Sequence, residues 1–265
     1  EAFAASPTVA NPAGANAMAR HPVLLQQDSN IRLEPGQLRR LVAELSEGIG
    51  LVVAVPLGIA AEGFAAKVER SFLIVYLVGG RLGGSALGLG CGSPQRRPGG
   101  RAARDRAGGL VAIAHTVGED HALALALAKV GARTVISGEV ATQIIGRRDP
   151  TTVWERQLRW MILRRVENSA AFVGEFVFNG VIAAVMAGIA ASAAGWSFPA
   201  VFVLSILAWI AVEGVFLALK DWQRSKTTPL AIFVRDLAVP VLWALALFRR
   251  EVIWRGQRLP VRAAR

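Results

Sequence analysis

Two arginines and a tryptophan, Arg156, Arg159 and Trp160, are spaced so that their chemistry can be combined on one helix. Guanidinium forks match pairs of phosphate oxygens, so the two arginines suit an anionic lipid headgroup or the diphosphate of a sugar nucleotide. An indole beside them offers an apolar, stacking wall. Upstream, Asp28 falls where a short apolar run, Val23-Leu24-Leu25, gives way to polar residues, with Asn30 two positions on. In open α/β sheets ligands collect at the carboxyl ends of strands, which makes the position of Asp28 a plausible site. Glu119 and Asp120 stand together where another helical pattern begins.

The elements that must position these groups can be read around them. Thr151 to Asn168 places Trp154, Leu158, Met161, Ile162 and Val166 on one side at helical spacing, with Arg156, Arg159, Arg164 and Arg165 on and around the other. The spacing predicts an interfacial helix lying flat on lipid, capped by Asp149-Pro150-Thr151. From periodicity alone, a plain amphipathic juxtamembrane helix is the favoured reading. Local sequence alone likewise favours Asp28 as an aspartate ending a strand at a turn, and Asp120 as a carboxylate suited to the first turn of a helix.

Residues 1–150 read as α/β. After an irregular Ala/Pro/Asn-rich entry, Val23–Leu25 is a short buried strand, and Glu34-Pro35 opens a helix with Leu38, Leu41, Val42 and Leu45 facing the core. Gly48 to Val55 is a second strand, and Ala61 to Tyr76 a helix with Phe64, Val68, Phe72 and Val75 inward. Val78 to Gly109, dense in Gly and Arg, reads as a solvated or substrate-covering loop. A helix over Val117 to Lys129 ends at Gly131; Arg133 to Ser137 and Val140 to Ile145 follow as two strands.

Beyond 168 the chain turns to oil. Phe172 to Ala194, a Gly195-Trp196-Ser197 turn, and Phe198 to Leu219 predict a transmembrane helical hairpin over 169–220. Arg164, Arg165, Lys220, Arg224 and Lys226 flank its open ends and place them in the cytoplasm. Glu175 and Glu213 would lie roughly 8–10 Å inside at a rise of 1.5 Å per residue, shallow enough to snorkel. Pro229 to Phe248, broken by Arg235-Asp236 and Pro240, predicts a re-entrant or interfacial helix, so that 221–265 ends in a basic cytoplasmic tail. In that setting Arg235-Asp236 reads as a helix-surface ion pair.

Composition agrees with this segregation. Of 265 residues 53% are hydrophobic, yet the formal charge is +11. One cysteine, Cys91, excludes an internal disulfide and suits a reducing compartment. Nucleic acid is excluded as a partner by the lack of an aromatic-interleaved basic groove or zinc spacing.

The motif Arg156-x-x-Arg159-Trp160 resembles the [Q/R]-x-x-R-W signature of membrane-bound family 2 glycosyltransferases of the GT-A type, and the string Trp154 to Trp160 looks like the ceramide glucosyltransferase and hopanoid-associated branch. Asp28-Ser29-Asn30-Ile31-Arg32, Gly118-Glu119-Asp120 and the C-terminal Val252 to Arg258 occur in the same order as in that family. The resemblance implies a GT-A-like (Rossmann-like) mixed-sheet catalytic domain, partial over 1–150, followed by the membrane region. It implies a nucleotide-sugar donor such as UDP-glucose and a lipid hydroxyl acceptor, ceramide-like or hopanoid-type. By the same resemblance Asp120, with Glu119 beside it, is the general base of an inverting displacement. Arg156 and Arg159 hold the diphosphate, and Trp160 forms the acceptor wall. Asp28 and Asn30 hold Mg or Mn, hard cations that take carboxylate oxygen. A bacterial inner membrane with a cytoplasmic catalytic domain is the implied location.

The family carries, before the point where this chain begins at Glu1, a membrane anchor and uridine-binding strands, so weak donor binding is expected of this chain alone. Ala13 stands where the family has lysine, and within Val78 to Gly109 only Ala107-Gly108-Gly109-Leu110 matches. A shifted reading frame in GC-rich DNA would write such Gly/Arg-rich text, which resequencing tests. Two other functions share these features: a processive polysaccharide synthase, which would carry more spans, and a non-catalytic membrane-anchored pseudoenzyme.

Overall fold

The computed structural model describes residues 18–73, 96–109, 119–254 and 257–261. The described residues fall into two compact units, those within 18–60, 96–145 and 259–261 in the first and those within 61–73 and 146–258 in the second.

The first unit is built on a five-stranded sheet of order β1-β4-β3-β5-β2. Its strands are β1 (Val23–Gln27), β2 (Ile31–Arg32), β3 (Ile49–Glu62), β4 (Arg96–Gly100) and β5 (Arg133–Arg147). The helices are α1 (Gln37–Ala43), α3 (Arg101–Arg106) and α4 (Glu119–Lys129). Strand β3 explains the layering. Side chains alternate across a strand, so Leu51 and Val53 join Ala122, Leu123 and Leu127 of α4 in one apolar cluster. Val52 and Ala54 point the other way and join Leu41 of α1 with Ile31 and Ala141 in another. Buried on both faces, β3 reads as a continuous apolar run, as central strands do. Gly50 sits where there is no room for a side chain: a Cβ there would meet the Ala132 Cβ at 2.9 Å and Leu127 Cδ2 at 3.0 Å.

Several expectations are corrected here. Val23–Leu25 is an edge strand with Leu25 37% exposed, because β1 pairs only with β4 in the sheet order. The Gly/Arg-rich stretch is ordered over 96–106: β4 pairs antiparallel with β1, Val23 opposite Gly100 and Gln27 opposite Arg96, and α3 follows directly. Residues 74–95 lie outside the described residues. The two strands expected on either side of Gly138 are one, since a glycine inside a strand need not break its ladder when neighbours pair on both sides. Helix α1 is a short one with only Gln37 and Leu41 buried; Leu38 faces out and Leu45 lies past its end. Gln37 ties it down, donating from Nε2 to the Val140 carbonyl at 2.6 Å.

The second unit is helical: α2 (Phe64–Ser71), α5 (Pro150–Glu167), α6 (Ser169–Val177), α7 (Gly180–Ala193), α8 (Phe198–Leu219) and α9 (Thr228–Phe248). A two-stranded ribbon, β6 (Glu251–Trp254) with β7 (Gln257–Pro260), closes the described chain. Helix α9 packs on α2, α5 and α8. Helices α8 and α9 are long and apolar enough to cross a membrane by length and composition, with mean hydropathies of 2.4 and 2.0.

The apolar run expected as the first span is broken. Helices α6 and α7 meet at a 55° bend, where Asn179 leaves the helical conformation and caps α7, its Oδ1 accepting from the Val181 and Ile182 amides at 3.0 and 3.1 Å. Conversely α9, expected to be interrupted, runs through Arg235-Asp236 and Pro240 for 21 residues. The reason lies in the tertiary partners of its charges. Arg235 is fully buried and Asp236 nearly so. The guanidinium donates to Glu213 Oε1 at 2.7 Å, Asp236 Oδ1 at 2.8 Å and the Ser71 carbonyl at 3.3 Å. This pair is therefore no surface ion pair. Nor do the two glutamates snorkel: Glu213 is buried against Arg235, and Glu175 pairs with Arg164. An internal cation holds a carboxylate better than a long reach to water when both are already desolvated.

Candidate functional site

The sequence-predicted residues occupy definite positions in each unit. Asp28 and Asn30 sit on the tight turn joining β1 to β2, closed by the Ile31 amide donating to the Asp28 carbonyl at 3.1 Å. Asp28 is exposed, and the Asn30 carbonyl accepts from the Ile144 amide of β5 at 2.9 Å, pinning the turn to the sheet. Glu119 and Asp120 open α4, the helix whose Leu123 and Leu127 anchor it under β3. His121, next in line, is half-buried, and that burial pushes its imidazole below the ordinary histidine range. His115 lies outside the described residues.

The β1–β2 turn carries the oxygen-bearing side chains of Asp28 and Asn30. No group of three or more His, Cys, Asp or Glu side chains able to share a metal occurs among the described residues.

In the second unit, Arg156, Arg159 and Trp160 lie on α5. Its start is capped by Asp149, which accepts from the Thr152 amide at 2.8 Å, with Pro150 in the first turn. The Thr152 hydroxyl, which donates to Asp149 Oδ2, and next that amide hold the Asp149 carboxyl below its ordinary value. The buried side is Val153, Gln157, Met161, Ile162 and Leu163. That corrects the predicted apolar face: Trp154 is exposed and Leu158 half-buried, because the helix turns its Val153–Gln157–Met161 stripe inward. The arginines are not a free cationic face either. Arg164 pairs with Glu175, and Arg165 donates to the Leu247 and Arg249 carbonyls at 2.6 and 2.7 Å, satisfying the C-terminal end of α9. Arg159 and Trp160 are half-buried.

Arg156 is held by a residue that the sequence did not single out. Glu69 of α2 is 1% exposed and accepts from Arg156 Nη1 through Oε1 at 2.5 Å and from Arg148 Nε through Oε2 at 3.2 Å. Each carboxylate oxygen thus meets its own guanidinium. Helical spacing had marked α2 by its apolar positions, and a lone glutamate between Val68 and Arg70 carries no motif. Its one signal is position: Glu69 stands beside Val68, one of the residues read as core-facing, and an acid there needs a cation.

The described chain is thus an α/β unit with acidic residues at a strand end and a helix start, joined to a helical unit that carries membrane-length helices and an arginine-bearing helix. These features define a membrane-associated α/β protein. The family model of glycosyl transferase family 21 matches residues 1–265, and the chain belongs to that family. It is also similar to ceramide glucosyltransferase 1 of Caenorhabditis elegans, 24% identical over 265 residues, an alignment that covers 96% of this chain and 56% of that relative. The chain therefore spans little more than half the length of this curated relative. No solved structure matches.

Proposed function

We propose that the protein transfers a sugar from a nucleotide-sugar donor, UDP-glucose or a similar compound, to a lipid hydroxyl at the cytoplasmic face of a bacterial inner membrane, with a ceramide-like or hopanoid-type lipid as acceptor. The observation that carries this reading is the family match over the whole chain, joined to the similarity to a ceramide glucosyltransferase. Membrane-length helices following the α/β unit suit an acceptor that never leaves the bilayer. In this reading the α/β unit is part of a GT-A domain.

The reaction assigned is an inverting displacement. The acceptor oxygen attacks the anomeric carbon, the bond from that carbon to the diphosphate oxygen breaks, and the hydroxyl proton passes to the Asp120 carboxylate, with Glu119 as its neighbour. The leaving diphosphate takes up negative charge. Arg156 and Arg159 are assigned to stabilise that charge. Glu69 engages Nη1 of Arg156 and fixes the side chain, whose other guanidinium donors are assigned to the phosphate oxygens. Trp160 is assigned the acceptor wall. Mg or Mn at Asp28 and Asn30 would supply further neutralisation of the diphosphate.

The test uses membranes carrying the chain, UDP-glucose labelled in the sugar, Mn, and a short-chain ceramide or a hopanoid-type alcohol. Label in an organic-phase glycolipid of inverted anomeric configuration, lost in D120N, supports the proposal. Polymer in the aqueous phase instead, or glycolipid formation that D120N leaves unchanged, sinks it.

A further inference from the structure

Helix α2 carries two cations that pair with no acid among the described residues. Arg70 is 5% exposed, and its guanidinium donates to two neutral oxygens, Gln223 Oε1 at 3.2 Å and Thr228 Oγ1 at 3.4 Å. Lys67, one turn earlier, donates to Thr227 Oγ1 at 3.1 Å. Elsewhere in the same unit Arg148, Arg156, Arg164 and Arg235 each meet a carboxylate. A desolvated guanidinium without a counter-charge is costly, which is why burial pushes the Arg70 value down.

All the partners of these two cations belong to one segment, the loop between α8 and α9 and the first residues of α9. That loop forms a shallow concavity of about 540 Å³ lined by Asp221, Trp222, Gln223, Arg224, Ser225 and Lys226. Two further cations and one carboxylate therefore stand at its rim. Hydroxyl groups are concentrated there too: Ser225 Oγ lies 3.2 Å from both Thr227 Oγ1 and Thr228 Oγ1. Cations, hydroxyl donors and a helix start together are the chemistry of a phosphate site. The loop joins the ends of two membrane-length helices, so it stands at headgroup level, where Trp222 is also at home.

We propose that this loop, with Lys67 and Arg70 beneath it, binds the phosphate of an anionic phospholipid headgroup. The lipid supplies the counter-charge that Arg70 lacks. Phosphatidylglycerol is a suitable probe because it carries one phosphate negative charge and no amine.

The chain is reconstituted in nanodiscs of phosphatidylcholine containing phosphatidylglycerol, and retained lipid is read by native mass spectrometry. The parent is expected to retain phosphatidylglycerol preferentially, each rim or floor cation removed reducing that preference by about fivefold near a membrane surface. Because Arg70 is buried and its replacement endangers the fold, R224Q/K226Q and K67Q are measured beside R70Q, with circular dichroism to establish helix content. Loss of preference in folded R224Q/K226Q and K67Q supports the site. Equal retention in parent and those variants overturns it. Displacement of the lipid by millimolar inorganic phosphate or UDP also overturns it, because the occupant is then a soluble anion.

Discussion

Glu69 Oε1 lies 2.5 Å from Arg156 Nη1, and the same carboxylate reaches Arg148 through its other oxygen. One buried acid on α2 therefore fixes the first arginine of the Arg156-x-x-Arg159-Trp160 motif. E69Q removes the charge while keeping the shape, and leaves two half-buried guanidiniums without this acid. Loss of one partner from a buried pair costs about 3–5 kcal/mol, reduced here by the partial exposure of both arginines. Thermal unfolding in detergent is expected to shift downward for E69Q. If Glu69 also positions Arg156 for diphosphate, donor KM rises, and E69D restores part of it.

Asp120 and Glu119 share the opening of α4 but are assigned different weight. D120N is expected to lower kcat by about 10²–10⁴-fold, the ordinary worth of a general base. E119Q is expected to change kcat far less. Initial rates with labelled donor decide it, and equal losses in the two variants would remove the assignment of the base to Asp120.

Gly50 is packed against Ala132 and Leu127 with no space for a methyl group. G50A is expected to destabilise the α/β unit by about 1–3 kcal/mol, the usual cost of overpacking. Denaturant unfolding followed by a probe in the first unit checks the value. An unchanged midpoint would mean that β3 and α4 separate freely.

The Arg235 cluster predicts a non-additive series. R235M leaves Glu213 and Asp236 buried without their cation and is expected to cost about 3 kcal/mol or more. Adding E213L and D236L to R235M is expected to recover much of that loss, because a buried charge group replaced as a whole is often neutral. Thermal stability of the purified proteins in one detergent measures both; a triple variant weaker than R235M contradicts the account.

Asp149 supplies an acid-side dependence. Its carboxyl is held below the ordinary value by the Thr152 side chain first and the Thr152 amide next. A depressed acid contributes fully above its unfolded value and loses that contribution as pH falls through the folded one. Helix content of α5 is expected to hold at neutral pH and to weaken in acid. D149N, which keeps a capping oxygen but cannot titrate, is expected to show less of that acid-side loss by circular dichroism.

Local pattern was enough to mark much of this chain. The apolar run of β3, the Asp149-Pro150 start of α5, the length of α8 and the motif residues on α5 all follow from neighbours a few positions apart. Period, caps and composition are local properties, so one sequence displays them. The resemblance added the family, and the family match bears that out.

What tertiary structure decided is the fate of the charges and the continuity of the long elements. Arg235-Asp236 looked like a break in an apolar helix, yet Glu213, 22 positions earlier, lets α9 run through it. Phe172 to Ala194 looked like one span, yet Asn179 donates to Asp236 from Nδ2 and caps α7, and the helix bends there. Glu69 and Arg156 are 87 positions apart and meet only because α2 packs on α5. A charge is tolerated in a low-dielectric interior according to what stands opposite it, and residues brought together from distant positions leave no periodic mark in either segment.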